Sequence, residues 1–93
     1  MKLTEFVLAG CPYCKMAREV LAELYDERPE FAAIEIGVID ESAQSVLADE
    51  YDYYRVPSFF NGKEKLYEAN PLWPHSEVKR RLEEMLDAVL QNG

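Results

Sequence analysis

The chain has 93 residues, enough for one domain with its own apolar core (residues 1–93) and too few for a second. An apolar content of 48% with 12% aromatics excludes a disordered chain, and 30% charged residues with no long apolar run exclude a membrane-spanning one. A net charge of −8 disfavours nucleic acid and anionic membranes as partners, and the scatter of Glu23, Asp26, Glu27, Glu30, Asp40, Glu41, Asp49, Glu50 and Asp52 reads as solvated surface.

The first eight residues carry Glu5 and lack the long apolar stretch of a secretory signal, so a cytoplasmic protein is expected. Leu3 to Leu8 mixes aliphatic, aromatic and β-branched residues and stops at Ala9-Gly10, which predicts a first strand ending in a turn. Cys11 then opens a helix. Pro12 suits its first turn, where the missing N–H has no intrahelical partner, and Ala17, Val20, Leu21 and Leu24 supply the apolar stripe. The helix ends before Pro29. Ala32 to Ile39, with Ile34, Ile36 and Val38 alternating, predicts a second strand, parallel to the first through a right-handed crossover.

Glu41 to Tyr51 predicts a shorter helix, with Ala43, Val46, Leu47 and Tyr51 available for burial. Tyr51, Tyr53 and Tyr54 follow as an aromatic patch that either packs or lines a groove beside Val56-Pro57. Ser58-Phe59-Phe60, Asn61-Gly62 and Lys65-Leu66-Tyr67 predict a hairpin with a type I′ turn. Asn70 to Pro74 is a rigid loop, with Trp73 as a lid on the core. His75 is a surface residue at a helix start, and Ser76 is the expected cap of a last helix reaching about Leu90, its apolar face formed by Val78, Leu82, Met85, Leu86, Val89 and Leu90. The order is β-α-β-α-β-β-α, an α/β fold.

Only two cysteines are present, and their spacing points to redox chemistry or to half of a metal site. A structural zinc ion wants four ligands, and His75 is the only histidine, so no metal site is expected within one chain. A cluster bridging a dimer stays open as an alternative. A thiol attacks a disulfide as its thiolate, and a helix N-terminus favours that charge. Cys11 sits there, with Lys15 and Arg18 adding positive charge. Cys14 lies on the flank of the apolar stripe and Cys11 farther from it, which makes Cys11 the attacking sulfur and Cys14 the resolving one. Pro12 and Tyr13 stiffen the turn between them.

Cys11-Pro12-Tyr13-Cys14, between a first strand and a first helix, resembles the tetrapeptide of dithiol glutaredoxins, and the resemblance covers essentially the whole chain. It implies the glutaredoxin version of the thioredoxin fold, a four-stranded mixed sheet flanked by helices. Val56-Pro57 is similar to the cis-proline segment that faces the active-site cysteine in that superfamily, with the Val56 backbone offered to an extended substrate. Two departures stand out. The Gly-Gly turn and acidic residue that hold glutathione in glutaredoxins are replaced by Glu68-Ala69-Asn70-Pro71-Leu72-Trp73-Pro74. Glu5, six residues before Cys11, stands where thioredoxins have a buried aspartate that accepts the proton of the resolving cysteine; strand alternation leaves it facing either the cysteines or solvent.

The expected function is thiol–disulfide exchange on protein or small-molecule disulfides by a dithiol cycle. The expected partners are a disulfide-bearing protein or small thiol and a reductase or low-molecular-weight thiol that recharges a monomeric enzyme, with no cofactor beyond the Cys11–Cys14 disulfide. The alternatives are a glutathione-dependent glutaredoxin and a dimeric metal or iron–sulfur carrier.

Overall fold

A computed structural model describes residues 1–92, and Gly93, the last residue of the expected domain, lies outside them. Strands β1 (Lys2–Val7), β2 (Glu35–Asp40), β3 (Ser58–Asn61) and β4 (Glu64–Glu68) form one sheet in the order β2-β1-β3-β4. β1 runs parallel to β2 and antiparallel to β3, and β3 and β4 form the hairpin. Helices α1 (Pro12–Glu27) and α3 (His75–Asn92) cover one face, and the short α2 (Ser45–Ala48) lies on the other. This is the expected α/β architecture.

The period-2 pattern of β1 divides the core between the two faces. Leu3 and Glu5 point toward α1 and α3, while Phe6 points to the opposite layer. On the helical face Ala17, Val20 and Leu24 of α1 meet Leu82, Leu86 and Val89 of α3 over Phe59 and Tyr67. On the other, Phe6 stacks on Tyr53 at 5.0 Å and meets Tyr51 at 4.7 Å, with Phe60 edge-on. Tyr51 and Tyr53 are therefore packing residues. Trp73 covers Tyr67 and carries the Arg81 guanidinium 4.0 Å above its ring, and His75 bonds Glu23 at the surface.

Several element boundaries differ from the sequence expectation. Pro29 starts a 3-10 turn (Pro29–Ala33), which delays β2 until Glu35. Because β2 is an edge strand that α1 only partly covers, burial fades along it: Ile34 is buried, Ile36 half-buried and Val38 exposed. The helix expected over Glu41–Tyr51 shrinks to Ser45–Ala48. The Asp40 carboxylate accepts hydrogen bonds from the Ser42 amide and hydroxyl, which closes a turn, and Tyr51 is drawn back onto Phe6. In the hairpin Gly62 has φ +61 and no other residue of the loop has positive φ, so the Gly62-Lys63 connection is not type I′ but has the φ signs of a type II′ turn. Ser76 lies inside the first turn of α3 rather than capping it; the Pro74 carbonyl accepts from the Glu77 and Val78 amides, both at 3.0 Å.

Candidate active site

β1 ends at Val7, and Gly10, with φ +82, turns the chain into α1. Cys11 is the N-cap residue, in extended conformation, and Pro12 is the first helical residue. The Cys11 amide bonds the Leu8 carbonyl at 3.2 Å, and the Lys15 amide bonds the Cys11 carbonyl at 3.1 Å. Cys11 therefore stands at the start of the helix, where the first backbone N–H groups lack intrahelical partners, and its sulfur makes no capping hydrogen bond to them. Both cysteines are free thiols. Cys11 is partly exposed and Cys14, one turn on, is 5% exposed.

Opposite Cys11 stands the loop before β3. The Val56–Pro57 bond is cis, and the Val56 carbonyl oxygen lies 3.9 Å from Cys11 Sγ. The loop is fixed from β4: the Tyr54 and Arg55 amides both donate to Glu68 Oε2, at 2.7 and 2.8 Å, Lys65 holds the other carboxylate oxygen at 2.7 Å, and the Ala69 amide bonds the Pro57 carbonyl at 3.0 Å. Glu68 is a site residue that the sequence did not disclose, since nothing in a strand-end glutamate signals that two amides from a distant loop converge on it. A cleft of about 340 Å³ lies between Cys11, Tyr13, Tyr54, Arg55, Val56 and Pro71. Tyr54, 89% exposed, belongs to this cleft rather than to the packed aromatic layer.

A second, larger groove of about 520 Å³ opens on the other side of the cysteines, between α1 and the β1–β2 half of the sheet. Cys11, Pro12, Cys14, Lys15 and Arg18 line it from the helix and Glu5 and Val38 from the sheet. Glu5 is 4% exposed and faces the helical layer. Its carboxyl makes no hydrogen bond to a described residue, yet its oxygens are not sealed, because they open onto this groove. Burial pushes its pKa up to about 7 against the opposing pull of Arg18. Burial likewise pushes the Cys14 thiol up to about 12; a backbone hydrogen bond from Leu8 opposes the shift, and the neighbouring Cys11 and Glu5 add to it. The arrangement thus places a half-exposed sulfur at a helix start, a buried protonated sulfur behind it, and a carboxyl poised near neutrality beside the second. Among the described residues no three His, Cys, Asp or Glu side chains gather into a metal-binding group.

A sequence model of the glutaredoxin family matches residues 3–65, a span that contains Cys11, Cys14 and Val56-Pro57. No curated protein matches the chain. Among solved structures, thioredoxin 1 from the thermophilic eubacterium Thermosipho africanus superimposes with a TM-score of 0.59 at 20% identity, covering 97% of this chain and 99% of that one. A thioredoxin mutant from Halobacterium salinarum gives 0.57 at 23% identity over 91% of this chain and 74% of the other. A structure described as a malarial protein gives 0.59 at 15% identity, with 91% and 96% covered. These likenesses establish the fold, and the family match, which spans most of the chain, establishes the lineage: the chain belongs to the glutaredoxin family.

Proposed function

We propose that the protein is a thiol–disulfide oxidoreductase that reduces disulfides of proteins or small molecules by a dithiol cycle. The supporting observation is the asymmetry of the cysteine pair. Cys11 is partly exposed beside an open backbone carbonyl, whereas Cys14 is buried with its thiol held protonated near Glu5. The Cys11 thiolate attacks one sulfur of the substrate disulfide, expels the other, and remains joined to the first as a mixed disulfide. Glu5 then takes the proton of Cys14. The Cys14 thiolate attacks Cys11 Sγ, which closes the Cys11–Cys14 disulfide and releases the second substrate thiol. Two electrons pass from the pair to the substrate.

Substrate chain lies in the cleft at Val56, whose carbonyl and amide have no strand partner, with Tyr13 and Tyr54 as its apolar rim. Glutathione is a poor partner. In Asn70–Pro74 the Leu72 and Trp73 amides are already bonded to Asn70, and Pro71 and Pro74 have no N–H, so the segment offers little to a γ-glutamyl carboxylate. Recharging therefore falls to a dithiol donor.

The test is single turnover. The reduced protein mixed with a disulfide-bonded protein such as insulin is expected to reduce it while forming the Cys11–Cys14 disulfide, and Cys11→Ser should abolish the reaction. Substrate disulfides left intact by the fully reduced wild type would overturn the reading.

A further inference from the structure

The groove between α1 and β2 has the build of a small-molecule site, which exchange with a protein at Val56 does not require. Its volume of about 520 Å³ falls within the roughly 300–1,000 Å³ of ligand clefts. Leu8, Leu21, Ile36 and Val38 make it apolar, and Val38 is 60% exposed in the middle of a strand. Two cations stand on its helical wall. Elsewhere in this acidic chain Arg28, Lys65, Lys79, Arg80 and Arg81 are held in ion pairs, and Lys63 sits 4.0 Å over the Tyr51 ring. Lys2, Lys15, Arg18 and Arg55 have no such partner among the described residues, and of these four Lys15 and Arg18 line this groove. Apolar walls with two cations outside any ion pair, Lys15 and an Arg18 that acts on the buried Glu5 across the groove, complement an aliphatic chain that ends in an anion.

We propose that this groove receives a small aliphatic dithiol with a terminal carboxylate, which serves as electron donor to the oxidised Cys11–Cys14 pair. The proposal rests on the disulfide exchange proposed above and names its donor. Cys11 lines both cavities and Cys14 only this one, so donor and disulfide substrate reach Cys11 from opposite sides. The donor carboxylate meets Lys15 and Arg18, and its chain lies on Leu21, Ile36 and Val38. Two acids also line the groove. Asp40 is tied to Ser42 at the strand end, and Glu5 lies at the floor, where an apolar occupant keeps its carboxyl protonated.

The chemistry balances. One donor sulfur, having lost its proton to solvent, attacks Cys11 Sγ; the Cys11–Cys14 bond breaks, and Cys14 leaves with the proton that Glu5 carries. The second donor thiol gives its proton to Glu5 and attacks the first donor sulfur, closing the donor's own disulfide and expelling Cys11 as thiolate. Two electrons reach the protein, and the donor's two protons are divided between solvent and the protein.

Two probes test it, octanoate as the unreactive chain and dihydrolipoate as the dithiol. Octanoate should saturably shift the amide resonances of Leu21, Ile36 and Val38 while leaving Val56 and Ala69 in place. It should compete with reduction of the pair by dihydrolipoate and not by dithiothreitol. Val38→Glu should lower the dihydrolipoate rate about tenfold relative to the dithiothreitol rate, and Val38→Gln, milder for the fold, should lower the same ratio in the same direction. Shifts confined to Val56 and Ala69, no saturable shift, or an equal effect on both donors would overturn the assignment. A protein reduced by dithiothreitol that then reduces no disulfide would instead sink the exchange reading, whatever octanoate does.

Discussion

Glu5 of β1 and Cys14 of α1 line one groove, and the Glu5 charge is among the forces that hold the Cys14 thiol protonated. In the proposed cycle, resolution of the mixed disulfide needs that proton removed, and Glu5, its pKa pushed up to about 7 by burial, is the base proposed to take it. Glu5→Gln is therefore expected to slow resolution about 10²-fold at pH 7.5 and to remove the rise in rate through pH 7. Stopped-flow measurement on a Cys11 mixed disulfide reads both. An unchanged profile would reject the acceptor role.

The same carboxyl makes stability depend on pH. The folded protein holds its proton up to about pH 7, whereas an unfolded glutamate releases it near 4.5. The folded state thus binds more protons across that window, and stability falls as pH rises through it. Urea titrations should show wild type losing about 2 kcal/mol more than Glu5→Gln between pH 5 and pH 8. Parallel losses in the two proteins would place Glu5 in solvent.

Alkylation should distinguish the cysteines. Cys14 is buried and its thiol is pushed up to about 12, so at pH 8 iodoacetamide should label Cys11 at least about tenfold faster. Peptide mass spectrometry gives the order, and faster labelling of Cys14 would reverse the assigned roles.

Glu68 holds the loop of the cleft at Val56 without lining that cleft. It accepts the Tyr54 and Arg55 amides, and bonds to a charged acceptor are worth about 1.5–3 kcal/mol each. Glu68→Ala should free the loop, with faster hydrogen exchange at Tyr54 and Arg55 and a several-fold higher KM for a protein disulfide at little changed kcat. Recovery of slow exchange in Glu68→Gln, which keeps one acceptor oxygen, separates positioning from general destabilisation.

In a monothiol route glutathione resolves the intermediate and Cys14 is dispensable; in a dithiol route it is not. Cys14→Ser is expected to accumulate a mixed disulfide on Cys11, with glutathione-driven turnover below about a tenth of the wild type's rate with a dithiol donor. Robust turnover by that variant with glutathione would return the protein to glutathione-dependent catalysis.

Hydrophobic period and punctuation are local, and they made most of the fold legible in the sequence. The stripe of α1, the alternation of β1, Gly10 before Cys11 and the Asn61-Gly62 hairpin place the four strands and the two long helices in order. The cysteine pair was legible for the same reason, since a two-residue spacing at a helix start is a local feature. Boundaries failed where a side chain answers to a distant partner. Asp40 and Ser42 end the chain's descent from β2, and Tyr51 leaves its helix for Phe6.

What the sequence determined by itself is the order of elements and the juxtaposition of Cys11 with Cys14, because helical turns and strand pleats are set by neighbours in the chain. Only the tertiary structure decided which way Glu5 faces, that Glu68 holds the Val56 loop from the far strand, and that β2, left at the sheet edge, exposes Val38 beside the cysteines. Each of these depends on which strand lies next to which and how far a helix reaches across the sheet. Burial and charge at a site follow from that assembly, and residues dozens of positions apart acquire their chemistry from it.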